Sequence, residues 1–317
     1  MKKYKLYNRN LKKQYYARYD YIKIYKLDID FNVTNIVIES NYEIDIEKRI
    51  VNFVNKMKEI SRKEDLKLLI NNLTDITVNV NKFNVNKLKH IYGFYNVKNN
   101  EVNVVKNNYI KTINHELLHM SSSYYDKQED ITYSGFSQTN GKTYIGLGIT
   151  KGYTQYLAEK HFDESFNYAY VYEKQVASVV ESIIGDDKML SLYLNANLYG
   201  LIEELAKYSS MNEAYRFIMN MDFITNNMDN SKILNSSKEY IMNVLKEINI
   251  FLLKITANKY YSIKNEQDQD KYLENILIKI PDKLIINKNK YNITNEDDAI
   301  NIFKDAYKKN NTKIKKK

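Results

Sequence analysis

Residues 113–120 read INHELLHM, two histidines four apart around a glutamate, and the rest of the chain is read outward from this octet. An α-helix advances about 100° per residue, so His115 and His119 fall one turn apart on one face, their rings able to converge on a single divalent ion. Glu116 lies to one side of the pair, where a carboxylate can take a proton from a metal-bound water without displacing it. Ile110, Ile113, Leu117 and Met120 occupy the roughly opposite face, a stripe the helix can bury. Four histidines in 317 residues would give roughly 0.05 chance pairs at this spacing, so the pattern calls for a chemical reason.

Composition narrows that chemistry. With no cysteine in the chain, disulfides and thiolate metal sites are excluded, and histidine and carboxylate remain as the metal ligands. The net charge of +9 sits at the two ends: residues 1–27 hold nine Lys and Arg against Asp20 alone, and residues 304–317 hold seven Lys against Asp305, which leaves the body at −5. A mildly acidic body is a poor phosphate-tracking groove, so nucleic acid ranks low among the partners. No apolar run reaches the roughly 18 residues of a membrane helix, and the lysine-rich start has no apolar secretory stretch, so a cytoplasmic protein without a membrane partner is expected.

Upstream of the octet, IDIEKRIVNFVNKMKEI (44–60) spaces Ile46, Ile50, Val54 and Met57 as a helix does. LKLLINNL (66–73) and ITVNVNKF (76–83) carry strand signals, the second with Ile76, Val78 and Val80 alternating with polar residues. Residues 92–107 predict two short extended pieces around a turn at Asn99-Asn100. Either 76–83 or 92–105 is a candidate edge strand on which an extended peptide would pair. Helical patterns then dominate, at 108–121, 150–161, 170–184, 188–207, 211–219, 236–257 and 296–309, and Pro281 is the one hint of a late boundary. Five of the eight glycines, Gly135, Gly141, Gly146, Gly148 and Gly152, predict irregular backbone around a site just after the histidine helix. Strands first and helices later predict an α+β chain. Its segments are a basic N-terminal segment (1–27), an α/β lobe with the histidine helix (28–145), a helical lobe (146–303) and a basic tail (304–317).

At HELLH the chain resembles the zincin metallopeptidases. The metzincin branch adds a Gly and a third His after the second histidine; Ser122 and Tyr125 stand there instead. Gluzincins take the third ligand from a second helix, in a segment similar to GxNEGxTExL. Residues 148–157, GITKGYTQYL, match it at Gly152, Thr154 and Leu157. The resemblance covers roughly residues 75–220. It implies a two-lobed fold, a small strand-containing N-terminal lobe and a mainly helical C-terminal lobe, with zinc as cofactor, His115 and His119 as ligands and Glu116 as general base in peptide-bond hydrolysis.

The chain departs from the family at the third ligand, where Lys151 replaces the glutamate, while Gln155 replaces a second acidic residue and can still hold a histidine ring by hydrogen bond. Keeping a lysine neutral at pH 7 costs about 4.6 kcal/mol. Left charged about 5 Å from a divalent ion it is repelled by roughly 6–7 kcal/mol at an effective dielectric of 20. Two substitutes are weighed. Glu159 shares a helix face with Lys151 but lies about 12 Å further along the axis. Asp130, in EDITYSGF, resembles the aspzincin third ligand in a DxxYG-like segment, with Ser134 inserted. Water or substrate filling a two-histidine site is a further possibility.

Two functions follow: a zinc peptidase, or an inactive homologue that binds peptide or protein in the same site, with the Lys151 ammonium near the ion's place and paired to Glu116. His161, Tyr153 and Tyr172 are candidate hydrogen-bond donors to a transition state, although a lone histidine near a helix end is more often a cap or surface residue. His90 reads as structural.

Overall fold

The structure is a computed structural model that describes residues 20–27, 33–39, 46–74, 76–81, 93–105, 112–163, 170–228, 235–279, 283–286, 289–292 and 300–305. The chain is α+β, with more helix than strand. Five strands, β1 (Asp20–Leu27), β2 (Val33–Glu39), β3 (Thr77–Asn81), β4 (Gly93–Asn96) and β5 (Glu101–Val105), form one mixed sheet in the order β2-β1-β3-β5-β4. Only β3 and β5 run parallel; the other pairs are antiparallel. Val78, Val102 and Val104 are buried, and the register partners Asn79 and Asn103 bond each other through their side chains at 3.1 Å, so the polar positions of the two strands are also satisfied. The predicted turn at Asn99-Asn100 joins β4 to β5. Asn100 takes φ 52°, a left-handed conformation asparagine tolerates, and its amide donates to the Asn72 carbonyl at 2.6 Å.

Helix α1 (Ile46–Ile60) buries Ile46, Ile50, Val54 and Met57, the stripe its spacing predicts, together with Phe53. Residues 66–73, predicted as strand, are instead helical: a 3-10 turn (Lys63–Leu66) runs into α2 (Lys67–Leu73). Leu66, Leu69 and Leu73 are buried, a spacing of three and four that belongs to a helix. The run of adjacent apolar residues between them hides this period.

The histidine helix α3 (Ile113–Ser121) is followed by a four-stranded antiparallel meander, β6 (Ser123–Asp126), β7 (Ile131–Ser134), β8 (Ser137–Thr139) and β9 (Tyr144–Ile145). The sequence predicts irregular loops here, because these strands are short and mostly polar. They are held by backbone pairing and by the cross-strand stack of Tyr124 on Tyr133, with ring centroids 4.5 Å apart.

Helices then follow: α4 (Leu147–Phe162), α5 (Val171–Ile184), α6 (Asp186–Leu194), α7 (Leu198–Ala206), α8 (Met211–Met228), α9 (Asn235–Ser262) and α10 (Glu266–Lys279). A hairpin of β10 (Lys283–Ile286) and β11 (Asn289–Asn292) comes last but for a helical stretch at 300–305. The predicted helix 188–207 is two helices, because Ala196 takes φ 51° and the Asn197 side chain caps α7 by accepting from the Gly200 amide at 2.8 Å. Residues 20–27 of the basic N-terminal segment are β1 itself and pair across residue 28. The lysine-rich end beyond residue 305 lies outside the described residues, as does Ile110.

Glycine has two jobs in the 135–152 cluster. At Gly146, φ is 80° and a Cβ would come 1.9 Å from the Phe136 carbonyl oxygen, so this position needs glycine for its turn. Gly148 and Gly152 lie inside α4, where they let backbones meet. A Cβ at Gly148 would sit 2.5 Å from the Met221 carbonyl oxygen of α8, and one at Gly152 would sit 2.2 Å from the Glu173 carbonyl oxygen of α5. The N-terminus of α4 is closed by Asp222 of α8, whose carboxylate accepts from the Gly146 and Gly148 amides at 2.7 and 2.8 Å. The contact at Gly152 is backbone against backbone and cannot yield by a rotamer change, so Gly152→Ala is expected to lower stability in urea unfolding by about 2–3 kcal/mol. A loss below 0.5 kcal/mol would mean that α4 and α5 separate at little cost.

Candidate functional site

Helix α3 packs against α2, α4, β4 and β5, and every residue from Ile113 to Ser121 is buried except His115 and His119. Both histidines keep some accessible surface. The stripe predicted to face the core does so at Ile113, Leu117 and Met120, and Leu118 joins it. Three successive serines finish the helix: Ser121 and Ser122 donate to the Leu118 carbonyl, and Ser123 donates to that of His119. Asn72 donates to the carbonyls of Met120 and Ser123, both at 2.7 Å. The last turn therefore leaves none of these carbonyls orphaned and holds the histidine face still.

The two imidazoles lie with centroids 5.0 Å apart and planes 70° apart. Burial, opposed by a hydrogen bond that His115 donates to Gln155 and reinforced by the charge of Lys151, brings His115 from 6.5 down to about 4. Burial, with His115 and Lys151 adding to it, takes His119 well below its ordinary value. At neutral pH both rings are uncharged. Ser134 Oγ lies 3.4 Å from His119 Nδ1. Thus the residue that interrupts the aspzincin-like segment is the one beside the second histidine.

Glu116 is buried beneath the edge strand β4. A Cβ at Gly93 would come 2.9 Å from its Oε1, so glycine makes the room in which the carboxylate sits. Tyr193 of α6 is near enough to Glu116 to feel its charge. It is fully buried, its hydroxyl is 2.7 Å from Thr154 Oγ1, and burial pushes it up to about 12 while the charge of Glu116 adds to the rise.

Helix α4 brings Lys151 and Gln155 to the pair. The ammonium of Lys151 stands 4.8 Å over the Tyr170 ring and acts electrostatically on both imidazoles. The ion pair with Glu116 expected from the sequence is replaced by this aromatic contact. Gln155 is buried and accepts a hydrogen bond from His115.

The proposed substitute ligands go elsewhere. Asp130 lies at a left-handed φ of 53° in the exposed β6–β7 turn, bonded to Lys98 and to the Tyr125 hydroxyl, both at 2.6 Å. Glu159 accepts from Gln155 at 2.9 Å and from Lys174 at 2.6 Å. Neither joins the histidines, and no group of three or more His, Asp or Glu among the described residues is arranged to hold a metal ion. Tyr153 donates to the buried carboxylate of Glu181 at 2.8 Å, which removes it as a transition-state donor. Tyr172 retains a buried hydroxyl without a partner among the described residues. His161 lies in the last turn of α4, about 15 Å of helix beyond Lys151. His90 lies outside the described residues.

A zincin-type zinc site therefore does not fit the donors. Two neutral imidazoles and a neighbouring carboxylate are in place, but the third position holds a cation. Gly93, Lys174, Tyr170 and Tyr193 all touch this arrangement without having been singled out by the sequence, and Ser134 was read there only as an insertion. Only Gly93 carried a readable signal, as an isolated glycine inside a strand pattern, which marks a close approach to the backbone. Comparisons of the chain with protein-family models, with curated proteins and with solved structures give no match. None of the described helices is long and apolar enough to cross a membrane.

The depressed histidines have a measurable cost in acid. Between the unfolded value of 6.5 and the folded value of about 4 for His115, the unfolded chain binds more protons, so stability falls as pH drops through that window. The part owed to His115 is about 3 kcal/mol. In His115→Asn, unfolding free energy measured from pH 7 to pH 4 is expected to fall less steeply than in the native chain. Equal slopes would show that the ring titrates normally.

Proposed function

We propose that this is a zincin-like protein that binds extended peptide at the histidine site without hydrolysing it. The observation that carries the reading is the placement of Lys151: its charge falls on both imidazoles at once, where a peptidase needs an anion. The cost of neutralising that ammonium, about 4.6 kcal/mol, is of the order of three powers of ten in metal affinity. A peptide-binding role is supported by β4, which among the described strands pairs only with β5 and passes over Glu116 at Gly93. A segment adding to that edge would lie along a strand that packs on the histidine helix.

A second reading, zinc-dependent peptidase activity with His115, His119 and Glu116 in the roles the resemblance implies, is favoured by one feature. The two rings are uncharged and adjacent on one turn, the state a ligand pair requires.

Metal analysis and a generic peptide-cleavage assay separate the two. The native chain is expected to hold no stoichiometric zinc and to cleave nothing, while Lys151→Glu gains zinc affinity by about three powers of ten. Tight stoichiometric zinc in the native chain, with cleavage abolished by Glu116→Gln, would establish the second reading instead.

A further inference from the structure

Glu159 lies too far along α4 to replace a missing ligand, yet it is joined to the site by a continuous chain of contacts. Lys174 of α5 donates to Glu159 Oε2 at 2.6 Å, Gln155 Nε2 donates to Glu159 Oε1 at 2.9 Å, and Gln155 bonds His115. The orientation of each group in this chain follows from the one before it. An ion-paired carboxylate has only acceptor atoms, so the end of the Gln155 amide facing Glu159 has to be its NH2. The end facing His115 is then the carbonyl oxygen, which can only accept. Hence the His115 ring has to present an N–H there, and in an uncharged imidazole the other nitrogen is left with its lone pair. Gln155 is 3% exposed, so reversing the amide would set its NH2 against a donor and its oxygen against a carboxylate with no water to relieve either.

We infer that Glu159, held by Lys174, is a positioning residue that fixes the tautomer of His115 through the Gln155 amide, so that the lone pair of His115 is on its nitrogen away from Gln155. The device works whether or not the site binds zinc, since each step depends on donors and acceptors of the protein alone. It also explains why glutamine is sufficient at position 155: a carboxylate there would accept from the histidine in either orientation, whereas an amide needs a second group to choose its face. Both outer members are only partly buried, with side-chain exposures of 25% for Glu159 and 27% for Lys174. Substitution there leaves the core intact.

The test is the nitrogen-15 spectrum of the histidine rings in the full-length chain at pH 7, with His115 assigned through His115→Asn. The native chain is expected to give a single-tautomer pattern for His115. Glu159→Gln, whose carbonyl is taken by the Lys174 ammonium and whose NH2 then faces Gln155, is expected to reverse the Gln155 amide and give His115 the opposite tautomer. Adding Gln155→Glu to Glu159→Gln exchanges the acceptor and donor positions and is expected to restore the native tautomer. Thermal melts of each variant establish that the fold persists. A native His115 populating both tautomers, the native tautomer unchanged in folded Glu159→Gln, or a double variant that does not return to it would each overturn the assignment.

Discussion

The close approach of two helix backbones to α4 is the constraint on which the site depends. Without side chains at Gly148 and Gly152, α8 and α5 come close enough for their carbonyls to occupy the space of a Cβ. These glycines lie on the same stripe of α4 as Lys151, Gln155 and Glu159, following the three-and-four spacing of a helix face. The start of α5 is thereby laid along that stripe, with Tyr170 over Lys151 and Lys174 against Glu159. Helix α4 is also held at its N-terminus by Asp222, so neither sliding nor rotation is free. The polar contacts to the histidines inherit their positions from this close packing.

Electrostatics and packing act on the site in the same direction. The histidines would lose charge through burial alone, and the nearby ammonium makes protonation costlier still. An uncharged pair suits metal binding, yet the group that helps keep it uncharged is the one that repels a metal. A cation resting on an aromatic face is stabilised without a carboxylate partner, and the acidic residues around α4 are engaged elsewhere: Glu159 with Lys174, Glu181 with Lys160 and Tyr153, Glu173 with Thr225, Asp222 with backbone amides.

Much of this was legible in the sequence where a single element settles the matter. Ile46, Ile50, Val54 and Met57 give α1 by spacing, Asn99-Asn100 gives the β4–β5 turn, and the octet gives α3 with its histidine face. The α+β class follows from the order of such elements. Where two elements decide together, the sequence is less informative. Leu66, Leu69 and Leu73 look extended until the helix they form is packed, and the meander of β6 to β9 is paired through backbone groups that leave little apolar pattern. The glycines of α4 read as loop because a glycine needed for close approach and one needed for a turn are the same letter. Glu159 was weighed as a ligand from its helix face, but its task depends on Lys174 of another helix, and no spacing along one helix reports that.

Strand β1 carries part of the basic charge that marks the N-terminal segment, and it sits between β2 and β3 in the five-stranded sheet. A cut chosen from charge alone, at residue 28, would withdraw a strand paired on both sides and bare the hydrogen-bonding rim of β3 along Thr77 to Val80. An unprotected rim of that kind recruits strands from other molecules. For anyone trimming the protein to a minimal fragment, Asp20–Leu27 has to be kept, and a product that begins after this strand would be expected to precipitate through sheet-to-sheet association.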